Sequence, residues 1–163
     1  MSCVRYGVRL SDQLLSFRLR AVLVCALVVF GLGCGAEEDG QDSGESRAKL
    51  TESGAFYVAY TPSPDPIPFN QLFELDVEVW ESADMANAVA DADVSVEVTM
   101  PAHGHGMNTE PTVTNNDDGT YLVEGMKFHM ESQSPAERWE IAVSVDRDGT
   151  ADTAVFEVMC CGQ

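Results

Sequence analysis

The residues with the clearest capacity for chemistry are histidines and methionines clustered in the middle of the chain. All three histidines of the 163-residue chain, and four of its seven methionines, lie within residues 100–130. They form two groups, Met-Pro-Ala-His-Gly-His-Gly-Met at 100–107 and Met-Lys-Phe-His-Met at 126–130. Imidazoles and thioethers together suit copper, because a soft thioether favours Cu(I) and imidazole binds either oxidation state. Zinc fits less well, since its usual ligands include Cys or carboxylate and the motif has neither.

Three of these ligands would meet if the glycine-spaced segment were extended. Alternate side chains of a strand project to the same side, so His103, His105 and Met107 would share one face, roughly 6 to 7 Å apart at successive Cα atoms. The second group would complete the coordination shell. The predicted copper ligands are therefore His103, His105, Met107, His129, Met130 and Met100.

The same residues also fit a tight loop between strands. In that arrangement the imidazoles bond to backbone carbonyls and the methionines fill the end of the domain. The sequence leaves the metal site and the structural loop open as alternatives.

Other reactive groups point less clearly to a function. Cys160 and Cys161 are adjacent, so on a strand they would face opposite ways and could not readily chelate one ion together. A vicinal disulfide, pairing with another molecule and a soft-metal role all remain open. Residues 146–152 contain only a fragment of a calcium loop and read better as a hairpin turn. No activated nucleophile or phosphate-binding glycine loop is recognisable, so we expect a protein that is not an enzyme.

The segments that must position these groups have the pattern of β-strands. Apolar residues alternate with acidic residues from Leu72 to Trp80, which indicates a strand with one buried face. The same period recurs in residues 94–98, 139–145 and 153–159, with shorter strands at 55–60 and 121–123. Turn-forming Asn, Asp, Gly and Pro residues separate them. The sequence thus predicts an all-β fold, an immunoglobulin-like antiparallel β-sandwich of six to seven strands.

The N-terminal region has the profile of an export signal. Four arginines precede the apolar run 21–33, which is too short to span a membrane that needs roughly 20 apolar residues. The sequence Gly-Leu-Gly-Cys at 31–34 resembles a bacterial lipobox, which implies acylation of Cys34; a secretory signal with an incidental cysteine is the alternative. We therefore predict a lipoprotein signal peptide at 1–33, a flexible acidic tether at 34–53 and a β-sandwich domain at 54–161.

The charge of the chain limits its partners. The formal net charge is −18, which argues against nucleic acid, since phosphate binding needs a positive surface. Anchoring would depend on acyl chains at Cys34. The expected location is the periplasmic or extracellular face of a membrane, and the outer membrane in a two-membrane bacterium.

Several of these motifs together resemble the YtkA-like domain, which is akin to the periplasmic part of FixH proteins. The resemblance rests on the two His/Met segments, on Asp-Gly-Thr-Tyr at 118–121 and on Trp-Glu-Ile at 139–141, and it extends over about residues 54 to 158. It implies an exported β-sandwich linked to copper handling and to terminal-oxidase assembly. Our hypothesis is a lipoprotein that holds or delivers copper, with a copper-accepting protein such as an oxidase assembly component as partner. The alternative is a scaffolding module that binds no metal.

Overall fold

The computed structural model describes residues 46–161, which form two antiparallel sheets. Strands β1, β2, β3, β7 and β6 make the first sheet in that order, and β5, β4, β8 and β9 make the second. The strands are β1 Ala48–Leu50, β2 Tyr57–Ser63, β3 Phe73–Trp80, β4 Asp93–Met100, β5 His105–Gly106, β6 Thr112–Asn115, β7 Thr120–Met126, β8 Trp139–Arg147 and β9 Thr150–Val158. The predicted all-β sandwich is confirmed.

The alternating pattern places the strands as predicted. In β3, buried Phe73, Leu75, Val77 and Val79 face the core, while Glu74 and Asp76 are exposed. The same alternation in β8 buries its apolar residues against the opposite sheet. Because burial of one face is what stabilises a half-buried strand, the period-2 pattern was sufficient to locate the long strands.

Three short strands were not predicted from the sequence. Residues 48–50 had been assigned to the acidic tether, yet they pair with residues 57–59 as strand β1. The other two are β5, inside the glycine-spaced segment, and β6. Each is four residues or shorter and therefore too short to show a hydrophobic period. Residues 34–45 of the predicted tether, which include Cys34, and the predicted signal peptide lie outside the described residues.

A buried tyrosine fixes the long loop between β3 and β4. Tyr121 on β7 is 1% exposed; its hydroxyl donates to the carbonyl of Val89 at 2.7 Å and accepts from the amide of Ala92 at 3.3 Å. Burial raises the pKa of this phenol, so the hydroxyl keeps its proton and remains a donor. A tyrosine that bonds back to backbone near a strand crossing is also found in immunoglobulin-like sandwiches.

The N-terminal end of the domain is held against β9. Asp152 accepts hydrogen bonds from the amide of Ser53 at 3.0 Å, from its hydroxyl at 2.5 Å and from the amide of Ala55 at 3.2 Å. Lys49 donates to the carbonyl of Val155 at 2.6 Å. Within residues 46–161, no helix is long and apolar enough to cross a bilayer.

Candidate metal centre

The His/Met residues meet at one end of the sandwich. Strand β4 ends at Met100, a 3-10 helix covers Pro101–His103, and the chain returns as β5 beside the end of β4. The register pairs Met100 with His105 and Thr99 with Gly106. The segment 127–130 follows β7 to the same end, and Trp139 opens β8 there.

The predicted extended ribbon from 103 to 107 is wrong. His103 ends the 3-10 helix, and Gly104 takes a left-handed conformation with φ 67°. Residues i, i+2 and i+4 share a face only in an extended chain. Because the chain turns at Gly104, the side chains of His103, His105 and Met107 do not share one. The turn nevertheless leaves the rings of His103 and His105 5.9 Å apart.

Two of the predicted ligands, His105 and Met130, are in direct contact. The Nε2 atom of His105 lies 3.0 Å from the sulfur of Met130, and its Nδ1 atom lies 3.0 Å from the carbonyl oxygen of Gly106. A carbonyl oxygen can only accept, and a neutral imidazole carries a single proton. The bond to Gly106 therefore places that proton on Nδ1.

This tautomer turns the lone pair of Nε2 toward a thioether that is itself a weak acceptor. Two acceptors 3.0 Å apart have no attraction for each other in the neutral state. A cation bound by both, either a proton on the ring or a metal ion, would make the contact favourable. The hydrogen bond from Nδ1 to a carbonyl is also the usual outer-shell support of a metal-binding histidine.

His129 adds a third imidazole beside this pair. Its ring centroid lies 5.2 Å from that of His105, and its Nδ1 atom is buried without a hydrogen-bond partner among the described residues. Burial lowers the pKa of His129, and unfavourable electrostatic interactions with His105 and Lys127 lower it further. The ring is therefore held neutral, the form that binds metals.

Trp139 contacts three of the predicted ligands. Its ring centroid lies 5.9 Å from that of His105 and 5.5 Å from that of His129, and its Nε1–H donates to the carbonyl of Met130 at 2.9 Å. Phe128 stacks parallel to the indole at 4.8 Å. The alternating pattern of residues 139–145 predicts a strand here, but it gives no signal that its first residue contacts distant histidines.

The remaining predicted ligands have different surroundings. Met100 is fully buried in the core. The sulfur of Met107 accepts a hydrogen bond from the amide of Lys127 at 3.2 Å. His103 lies at the surface, with Nε2 3.9 Å from a carboxylate oxygen of Glu137, a residue that sequence reasoning did not connect with the site.

The donor set is therefore mixed. No three side chains drawn from His, Cys, Asp and Glu are placed to hold a metal ion together within residues 46–161. Thioether sulfur would have to complete the coordination of His105 and His129. At a tetrahedral ion with zinc-like bond lengths of about 2.0 and 2.3 Å, the nitrogen and sulfur ligands are roughly 3.5 Å apart. The observed separation is 3.0 Å, so a small rotation of the Met130 side chain would make room for a metal ion. Such a set suits Cu(I) better than zinc.

One known family matches this region of the chain. Residues 73–143 match a family model described as YtkA-like. No curated protein and no solved structure matches the chain. The match runs from the start of β3 into β8 and includes both His/Met segments and Trp139, so the resemblance noted from the sequence is confirmed over this range. Residues 73–143 are therefore similar to the YtkA-like family.

Proposed function

We propose that this protein holds or delivers copper in the cell envelope through the His105–Met130 pair, with His129 as a further ligand. The observation that carries the proposal is the 3.0 Å distance between Nε2 of His105 and the sulfur of Met130, two atoms that are both acceptors when the ring carries its proton on Nδ1. A metal ion bound by both atoms would make this contact favourable.

The position of the ligands supports binding rather than catalysis. His105, His129 and Met130 are half-buried, so an ion would be shielded while the end of the domain stayed accessible. His103 and Glu137 stand at the surface beside them, where they could receive an ion from solvent or pass it to a partner. We further propose that the partner is a copper-accepting protein, such as an oxidase assembly component, and that lipid on Cys34 holds the domain at the outer face of a membrane.

The test is a copper titration of the purified protein under anaerobic conditions. Cu(I) would be supplied in competition with a colorimetric chelator, and Cu(II) would be titrated separately. The wild type would be compared with His105→Ala and Met130→Leu. Met85→Leu is the matched control, because Met85 is an exposed methionine on the loop between β3 and β4.

The expected result is one tightly bound Cu(I) in the wild type and in Met85→Leu, with clear loss in the two site variants. Equal affinity in all four proteins would place the ion elsewhere. No binding in any of them would reject the copper function and favour a scaffolding module that recognises a partner without metal.

A further inference from the structure

A vicinal disulfide lies at the same end of the sandwich as the candidate metal centre. It joins Cys160 and Cys161, which Met159 separates from the end of β9. Val158 of β9 pairs with Trp139 of β8. The two cysteines therefore lie two and three residues after the residue that pairs with Trp139. The disulfide lies outside the range that matches the YtkA-like family, which ends at residue 143.

The disulfide is hydrogen-bonded to the segment that carries Met130. The amide of Cys160 donates to the hydroxyl of Ser132 at 3.0 Å, and the amide of Ser132 donates to the carbonyl of Cys160 at 3.1 Å. Ser132 is two residues from Met130, whose carbonyl accepts from the indole of Trp139. A continuous path of covalent and hydrogen bonds thus joins the disulfide to a proposed copper ligand.

The two cysteine residues differ in exposure. Cys160 is 1% exposed, whereas Cys161 is half-buried. An incoming thiolate would therefore reach the sulfur of Cys161 and displace that of Cys160, since thiol–disulfide exchange depends on which sulfur is accessible.

We propose that Cys160–Cys161 is a thiol–disulfide exchange site whose redox state sets the position of Met130 and so the affinity for copper; this regulation rests on the proposed copper function. The reductant is a dithiol. One of its thiolates attacks the sulfur of Cys161, the Cys160–Cys161 bond breaks, and Cys160 leaves as a thiolate that takes up a proton. The second thiol then cleaves the mixed disulfide and releases Cys161 as a thiol. Two electrons and two protons pass to the pair, and the dithiol becomes a disulfide.

Reduction weakens the hydrogen bonding between Cys160 and Ser132, because the disulfide holds Cys161 in an uncommon backbone conformation. This residue has a φ of 74°, a left-handed conformation uncommon for a residue with a side chain. Without the covalent link to its neighbour, Cys161 is free to return to negative φ, which weakens the two hydrogen bonds between Cys160 and Ser132. The segment that follows Met130 then becomes more mobile, and the Met130 thioether is held less firmly in the position proposed to bind copper.

The first experiment uses copper-free protein, so its outcome is independent of the copper function. The purified protein is equilibrated in mixtures of reduced and oxidised dithiothreitol, and alkylation followed by peptide mass spectrometry reports the state of the C-terminal pair. The Trp139 indole N–H resonance, assigned in a Trp80→Phe background, reports the position of the Met130 carbonyl. It should shift on reduction in the wild type and stay fixed in Cys160→Ser/Cys161→Ser.

The variant Ser132→Ala tests the path itself while keeping the disulfide. It removes the acceptor of the Cys160 amide, so the Trp139 resonance should respond much less to reduction. A pair that is not reduced by dithiothreitol, or a Trp139 resonance identical in both redox states, would overturn the proposal.

The second experiment measures Cu(I) affinity. Oxidised wild type should bind about tenfold more tightly than Cys160→Ser/Cys161→Ser, which mimics the reduced state without adding thiol ligands; a change of this size is typical of coupling between two sites. Equal or tighter binding by the double variant would refute the coupling. If neither protein binds copper but reduction still shifts the Trp139 resonance, the copper function fails and the exchange site stands.

Discussion

The Nε2 atom of His105 and the sulfur of Met130 lie 3.0 Å apart although 25 positions separate them in the chain. Two backbone arrangements create this contact. The β4–β5 pairing fixes the backbone of His105, and the bond from the Trp139 indole fixes the carbonyl of Met130. Substitutions at Trp139 and Gly106 test these two supports separately from the ligands.

Replacement of the two histidines of the 103–105 segment should have unequal effects. His105→Ala removes the imidazole that faces Met130, so it should weaken Cu(I) binding by more than the roughly 10- to 100-fold that loss of an outer-shell partner costs. His103→Ala should cost about tenfold or less, because this ring lies at the surface. Chelator competition measures both. The reverse order of effects would favour a surface site built on His103 and Glu137.

Trp139→Phe should weaken copper binding without unfolding the domain. Phenylalanine keeps a ring against Phe128 but cannot donate to the Met130 carbonyl, and loss of such an outer-shell bond costs roughly 10- to 100-fold in metal affinity. In the wild type, bound Cu(II) should quench Trp139 fluorescence because the indole lies beside both imidazoles.

The Trp80→Phe background isolates this signal, and Trp139→Phe leaves Trp80 as the control fluorophore. Trp80 packs against Tyr57 on a different strand pair. Equal quenching of the two tryptophans by stoichiometric Cu(II) would contradict the proposed position of the ion.

Gly106→Ala should displace His105. A Cβ at this position would stand 2.8 Å from the carbonyl oxygen of Val98, and a backbone atom cannot move aside cheaply. We expect β5 to be pushed from β4, at a cost in unfolding free energy of about 1–3 kcal/mol, typical of overpacking. Urea denaturation measures stability and chelator competition measures Cu(I) affinity, which should fall together. Unchanged copper affinity would show that the pairing of β5 does not position His105.

The long strands could be predicted from the sequence, but the arrangement of the histidines and methionines could not. Alternation along β3 reports burial directly, because successive side chains face opposite sides of a sheet. The segment 103–107 carries no such pattern. Glycine permits left-handed backbone as readily as extended backbone, so nothing in the spacing distinguished the turn at Gly104 from a ribbon.

Long-range contacts of the site were also beyond sequence reasoning. Trp139 meets His105 and Met130 because β8 starts where β5 and the segment after β7 converge. That convergence depends on sheet order, which a single sequence does not specify. Similarly, the assignment of residues 48–50 to a tether failed because pairing with β2 compensates for a strand with little apolar surface of its own.

Tyr121→Phe should destabilise the fold while leaving copper binding intact. The substitution leaves the buried carbonyl of Val89 without its donor, and an unsatisfied buried group costs about 1–3 kcal/mol. Urea denaturation measures the loss. Tyr57→Phe on β2 is the matched control, since the hydroxyl of half-buried Tyr57 makes no hydrogen bond within the described residues. Similar losses in both variants would mean that the Val89 bond contributes little.

Asp152→Asn should remove a contribution to stability that depends on pH. Hydrogen bonds from Ser53 hold the pKa of Asp152 well below its ordinary value of 3.8. Between the folded and unfolded pKa values the unfolded state binds more protons, so stability rises with pH in that interval. The contribution is therefore complete above about pH 4 and is lost as the pH falls through the folded pKa. We expect the wild type to exceed Asp152→Asn in unfolding free energy at pH 7, with the difference narrowing below pH 4 in urea titrations. Asp93→Asn, which removes an exposed carboxylate that has no hydrogen bond from Ser53, should show a much smaller difference. A difference between wild type and Asp152→Asn of the same size at every pH would refute the ionic basis of the contact.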